Sequence, residues 1–170
     1  MLRLTLIRHA NAEWKDASIE DFDRPLNKRG LAEAESIGEV LLEKELMPDL
    51  LVASTARRTQ QTAEIVTRVL GLPARRVKST EQLYLASAEA MLALAHATGP
   101  KVHHLAIIGH NPGISDLARS LAPHGMPLAE LSTAAACTLT FAAKSWKHVA
   151  GPAARAIEYK PASSRFNPFS

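Results

Sequence analysis

Apolar runs along this chain stop abruptly, and three of them stop at polar side chains of an unusual kind. Leu2, Leu4 and Leu6 alternate with Arg3 and Thr5, and Ile7 extends the run to Arg8-His9. That alternation predicts a short strand with a buried face. Leu50-Leu51-Val52-Ala53 and Leu105-Ala106-Ile107-Ile108 are continuous apolar runs, as buried strands are. Helical spacing separates them. Leu31, Ala34, Ile37, Leu41 and Leu42 follow one helical period, with Asn27 placed to cap it and Pro48 to end it. Ala63, Val66 and Leu70 follow another, capped by Ser54 or Thr55 and closed by Gly71 and Pro73. A third helix is expected after Ser87 through Met91, Leu92, Leu94 and Ala95 to Gly99-Pro100, and a short one through Leu117 and Leu121. Val77 marks a short strand, 134–141 an edge strand and Ala154 to Ile157 a last one. Residues 9–27 read as a loop, with Asp16, Glu20, Asp21 and Asp23 on its solvated face. Strands alternating with helices predict an α/β fold with a largely parallel sheet.

Parallel strands share a carboxyl edge, and open α/β sheets bind ligands there. The first run delivers Arg8-His9 to that edge. The second delivers Ser54-Thr55-Ala56-Arg57-Arg58, and the third Gly109-His110-Asn111-Pro112-Gly113. Arginines and two imidazoles, with no acid among the three strand ends, describe a pocket for a dianion such as a phosphoryl group. The planar guanidinium bonds phosphate oxygens in pairs, and the amino termini of the two following helices add backbone donors. His9 reads as a nucleophile and Arg8 as the group that holds an anion against it. Taken singly, each feature has a bland reading: a strand ending at the surface, solvated arginines in a first helical turn, a histidine in a tight loop. Their coincidence at matched strand ends favours function.

Composition narrows the class. A chain of 170 residues with 46% hydrophobic and 22% charged residues suits one folded domain, read here as residues 1–160 followed by a tail from 161 to 170. The lone Cys137 excludes an intramolecular disulfide and suits a reducing compartment. Charged Arg3 and Arg8 interrupt the first apolar segment, and no run approaches the ~20 residues of a membrane span. A cytoplasmic, monomeric protein without a membrane partner is the expectation. The net charge of +3 favours anionic partners generally, but the positive residues are scattered, which argues against nucleic acid. His103, His104 and His110 lack a metal-ligand spacing, so no metal or other cofactor is expected.

These residues carry a resemblance. Arg8-His9 after an apolar strand resembles the Arg-His-Gly signature of the histidine phosphatase superfamily, with Ala10 in place of the glycine. Ser54-x-x-x-Arg58-x-x-Gln61-Thr62-Ala63 is similar to that family's second arginine motif and selects Arg58 over Arg57; Ile108-Gly109-His110 resembles its second histidine. Length, and Asp23-Arg24-Pro25-Leu26-Asn27-x-x-Gly30, resemble the small SixA-type phosphohistidine phosphatases. The resemblance implies a three-layer phosphoglycerate-mutase-like fold, with a mostly parallel sheet between helices. It implies phosphoryl transfer through His9, with Arg8, Arg58 and His110 holding the equatorial oxygens. Arg24, Ser54 and Asn11 are candidate substrate contacts. Glu81 lies where larger members carry a general acid, but the flanking pattern differs, and a solvated loop residue is an equal reading. The expected substrate is a phosphohistidine protein or a small phosphate ester. The alternatives are a metabolite phosphomonoesterase with the same site and a phosphate-binding module without turnover.

Overall fold

A computed structural model of the chain describes residues 1–162; most of the expected tail, from 163 to 170, lies outside the described residues. Six strands form one sheet: β1 (Leu2–Arg8), β2 (Leu50–Ser54), β3 (Val77–Thr80), β4 (His104–Gly109), β5 (Ala136–Phe141) and β6 (Arg155–Tyr159), in the spatial order β3-β2-β4-β1-β5-β6. The first four in that order are mutually parallel, and β5 runs antiparallel to both β1 and β6.

Helices cover both faces. The pleat sends Leu2, Leu4 and Leu6 to one side, where they pack with Leu105, Ile107, Met91, Ile114 and Leu117. Met91 belongs to α3 (Ala88–His96), and Ile114 and Leu117 to α4 (Gly113–Leu121). Ile7 faces the other side with Ile37 and Leu41 of α1 (Lys28–Glu43) and Val66 and Leu70 of α2 (Arg57–Leu70). A sheet buried on both faces explains why residues 50–53 of β2 and 105–108 of β4 are continuously apolar rather than alternating.

The helix boundaries follow local chemistry, with two corrections to the helices and one to the sheet. Asn27 caps α1 by accepting the Gly30 N–H at 2.8 Å, Ser87 caps α3, and Gly71 closes α2 at φ 67°. The first helix ends at Glu43, well before Pro48. The cap of α2 is Ala56, without a side-chain bond; the Ser54 hydroxyl instead accepts the Ala56 N–H at 3.2 Å. Nor is β5 an edge strand. It pairs with β1 on one side and β6 on the other, and Cys137 and Leu139 are fully buried. Its apolar pattern reported burial, which sequence alone does not distinguish from an edge position.

Candidate active site

Arg8 is paired with Gly109 at the end of β1 and β4, and Ser54 ends β2 on the far side of β4. Three chain segments therefore leave the same edge side by side. The His9 and His110 rings lie 5.4 Å apart, and Arg58, in the first turn of α2, reaches His110.

Hydrogen bonds fix both imidazoles. His9 Nδ1 lies 2.7 Å from the Ala10 carbonyl, which only accepts, so Nδ1 carries the proton and Nε2 keeps its lone pair. Burial pushes the His9 pKa down to about 4, against the pull of that carbonyl, and Arg58, Arg8 and Arg24 lower it further. The ring is neutral at pH 7, with Nε2 bare. His110 is locked the other way. Arg58 Nη2 donates to its Nδ1 at 3.2 Å, so the proton of the neutral ring is on Nε2 and points at Ser54 Oγ, 2.9 Å away. Burial, Arg58 and His9 push its pKa down to about 3.

Both guanidiniums are seated with a donor to spare. Arg8 Nη1 donates to the Leu131 carbonyl at 3.0 Å, which also accepts Asn111 Nδ2. Ser115 Oγ ties this corner together by donating to Asn111 Oδ1 and accepting the Leu131 N–H. Arg58, only 2% exposed, donates Nη1 to the Asp21 carbonyl at 2.7 Å and Nη2 to Asp21 Oδ2 at 3.1 Å. The Nε–H groups of Arg8 and Arg58 are buried without a hydrogen-bond partner among the described residues. An unpartnered buried donor costs about 1–3 kcal/mol, and the charges of Arg58 and Arg8 reach His9, so these two cations and the bare imidazole nitrogen together suit an oxyanion.

The loop before α1 corrects the sequence reading. Asp21 is not simply a solvated acid: it opens a 3-10 turn (Asp21–Asp23) that packs on α2. Besides Arg58 it binds Arg24, whose Nε and Nη2 reach Oδ1 at 3.1 and 2.8 Å, and it accepts the Tyr84 hydroxyl at 2.5 Å. Burial would raise the Asp21 pKa, but these donors outweigh it and hold the carboxyl well below the usual carboxylate range. The Tyr84 ring stands edge-on to His110 at 5.6 Å. Nothing in the sequence singled out Tyr84. The one local hint for Asp21 is its three-residue spacing from Arg24.

Of the remaining sequence candidates, Asn11 accepts from Asn27 Nδ2 at 2.5 Å and receives no bond from the two arginines. Glu81 begins the 3-10 turn after β3, exposed and without a side-chain hydrogen bond or ion pair among the described residues. Two glycines permit close approaches around the cup. A Cβ on Gly30 would lie 1.9 Å from the Asn11 carbonyl oxygen, and one on Gly113 2.0 Å from that of Ala86.

Residues 4–93, just over half of the chain, match the model of the histidine phosphatase superfamily (branch 1). The chain belongs to the histidine phosphatase superfamily. An uncharacterised chloroplast protein of Arabidopsis thaliana is 29% identical to this superfamily member over 167 residues, 92% of this chain and 75% of the relative. An uncharacterised protein of Mycobacterium tuberculosis is 35% identical over 116 residues, 68% and 70% of the two chains. A protein of Agrobacterium tumefaciens assigned as phosphohistidine phosphatase SixA is 31% identical, with a TM-score of 0.69 over 82% of this chain and 92% of that one. The protein histidine phosphatase SixA complexed with tungstate superposes with a TM-score of 0.78 over 94% and 97%. At 23% identity that likeness shows the fold alone, the three-layer phosphoglycerate-mutase-like architecture.

No helix among the described residues is long and apolar enough to cross a membrane. Cys137 is buried, and burial pushes its thiol up to about 12, so it offers no nucleophile.

Proposed function

We propose that the protein is a metal-independent phosphatase that hydrolyses phosphohistidine on a protein through a covalent phosphohistidine on His9. The observation that carries this reading is the Nδ1–H bond to the Ala10 carbonyl, which leaves His9 Nε2 unprotonated within the field of Arg58 and Arg8, each of which keeps an unpartnered donor.

In the first step the Nε2 lone pair attacks phosphorus in line and the bond to the leaving group breaks with its electron pair. His9 gains charge as it is phosphorylated, and the Ala10 carbonyl stabilises the Nδ1–H of that cation. Arg8 and Arg58 hold the equatorial oxygens, a role played by groups already in place. His110 needs a different account from the one its resemblance implies. Its only proton faces Ser54, so in this arrangement it fixes Arg58 Nη2 rather than donating to phosphate. In the second step water attacks phosphorus, the N–P bond breaks, phosphate leaves and His9 is again neutral.

The leaving group is where the readings divide. An alkoxide needs a proton as it departs, whereas an imidazole protonated on its other nitrogen leaves as a neutral base. Asp21 is ionised and saturated with donors, and the Glu81 side chain makes no hydrogen bond or ion pair among the described residues. That arrangement supports the phosphohistidine substrate over an alkyl phosphate, for which Glu81 remains the candidate acid.

The test is a brief exposure to a histidine-containing protein carrying labelled phosphoryl groups. Wild type is expected to release phosphate and to trap an acid-labile, base-stable adduct, and His9→Ala to do neither. Faster turnover of sugar phosphates would favour the metabolite reading. Tight phosphate binding without turnover would leave a binding module.

A further inference from the structure

Five hydrogen bonds from side-chain donors converge on Asp21 at the wall of the cup. The Asp21 carbonyl and Oδ2 take the two terminal nitrogens of Arg58, Oδ1 takes two nitrogens of Arg24, and Oδ2 also takes the Tyr84 hydroxyl. A guanidinium gripped at both Nη atoms by one residue cannot turn about its long axis. Of the donors left over, Nε–H is the buried one without a partner.

We propose that Asp21 is the positioning residue of the phosphoryl cup: it clamps Arg58 so that Nε faces the incoming oxyanion, and it ties Arg58 to Arg24 and Tyr84 as one rigid wall. This inference rests on the reading of the cup as a phosphoryl site. The competing role, an internal carboxylate that blocks the site until substrate displaces it, fits less well. A blocking carboxylate would engage the donors facing the phosphoryl group. Asp21 instead takes the Nη atoms of Arg58 and leaves the Nε atoms of Arg8 and Arg58 untouched. The clamp also explains the residue type. Every group facing Asp21 donates, so an acceptor-only carboxylate suits all of them, whereas an amide would aim N–H groups at either Arg24 or the Arg58–Tyr84 side. Asparagine is therefore not a conservative replacement here.

The experiment compares wild type, Asp21→Asn and Tyr84→Phe, each checked for its fold by circular dichroism. Inorganic phosphate binding is measured by calorimetry, and kcat and KM on the phosphohistidine protein. Displacing a catalytic arginine by a fraction of its length costs about 100-fold in rate, so Asp21→Asn is expected to lower kcat by about that factor and to weaken phosphate binding about tenfold. A merely structural role would lower the melting temperature and leave kcat of the folded fraction unchanged. Tyr84→Phe removes one hydroxyl and keeps both arginine contacts, so a loss of a few-fold in kcat is expected. It serves as the test if Asp21→Asn does not fold. Unchanged kcat and phosphate affinity in folded Asp21→Asn, or in Tyr84→Phe where that is the test, overturns the clamp. Tighter phosphate binding in Asp21→Asn also overturns it and makes Asp21 a blocking group. The calorimetry reads the clamp even if wild type fails to hydrolyse the substrate, so that failure is seen separately.

Discussion

Lowering the pH should separate this nucleophile from an ordinary histidine. His9 is held at about 4 against a usual 6.5, first by burial and then by Arg58, Arg8 and Arg24. At about pH 5 a histidine of pKa 6.5 is about 3% neutral, whereas one of pKa 4 is about 90% neutral, a difference of roughly 30-fold in available nucleophile. Folded protein should therefore keep most of its capacity to form the covalent adduct at a pH where an unperturbed imidazole has lost nearly all of it. Substrate phosphoryl groups also titrate near pH 6, so a rate profile alone is ambiguous. The direct assay follows the ring resonances of His9 by NMR from neutral pH downward, beside single-turnover adduct formation on the same samples. A midpoint near 6.5 for His9 would refute the burial argument, and with it the claim that the Ala10 carbonyl and the arginines define a neutral, Nε2-bare tautomer. His110 provides an internal control. It should titrate at or below His9, because its Nδ1 already accepts from Arg58 and a second proton there would face a guanidinium.

Three further outcomes follow from the same geometry. Chelation by EDTA should leave turnover unchanged, since among the described residues no cluster of His, Cys, Asp or Glu is arranged to hold a metal; loss restored by a divalent ion would reverse that. Gly30→Ala should destabilise the fold by at least about 1–3 kcal/mol, as overpacking does. It should also impair turnover, because its Cβ would push against the Asn11 carbonyl two residues from His9; urea melts and rates at wild-type level would contradict this. His104, the first residue of β4, is buried and bonded to Thr5 of β1 at 2.8 Å, and its pKa is lowered to about 4, chiefly by burial. The unfolded chain takes up that proton first, so the stabilisation is complete above about pH 6.5 and is lost as pH falls toward 4, by about 1.4 kcal/mol per pH unit for this group. His9 and His110 act in the same direction, and His104→Gln should remove one such share of the slope in urea unfolding measured across that window; an unchanged slope would mean His104 is not buried neutral.

Much of the fold was legible because burial on both faces of the sheet writes itself into the sequence as uninterrupted runs. Leu50 to Ala53 and Leu105 to Ile108 had to be interior strands, and Asn27, Ser87 and Gly71 set helix ends through bonds made within a few residues. What local pattern does not encode is neighbourhood. The strand around Cys137 is apolar whether its far side meets β6 or solvent, so its interior place depended on Arg155–Tyr159, whose own exposed and half-buried side chains give little sign of pairing.

The site divides along the same line. Arg8, His9, Arg58 and His110 could be brought together from the sequence because each lies at or just after a strand end that the sequence marks, and a parallel sheet gathers such ends. Asp21 was missed because its charge sits in an acidic loop where solvation is the default reading, and its side chain is indeed 47% exposed. Its distinction comes from partners 37 and 63 residues away, Arg58 and Tyr84. Exposure and function are compatible here for a physical reason. A surface ion pair alone contributes little, but this carboxylate anchors a guanidinium that is itself almost wholly buried, and the benefit appears in the direction Arg58 points rather than in stability. A reading that ranks acids by burial therefore passes over the acid that binds Arg58.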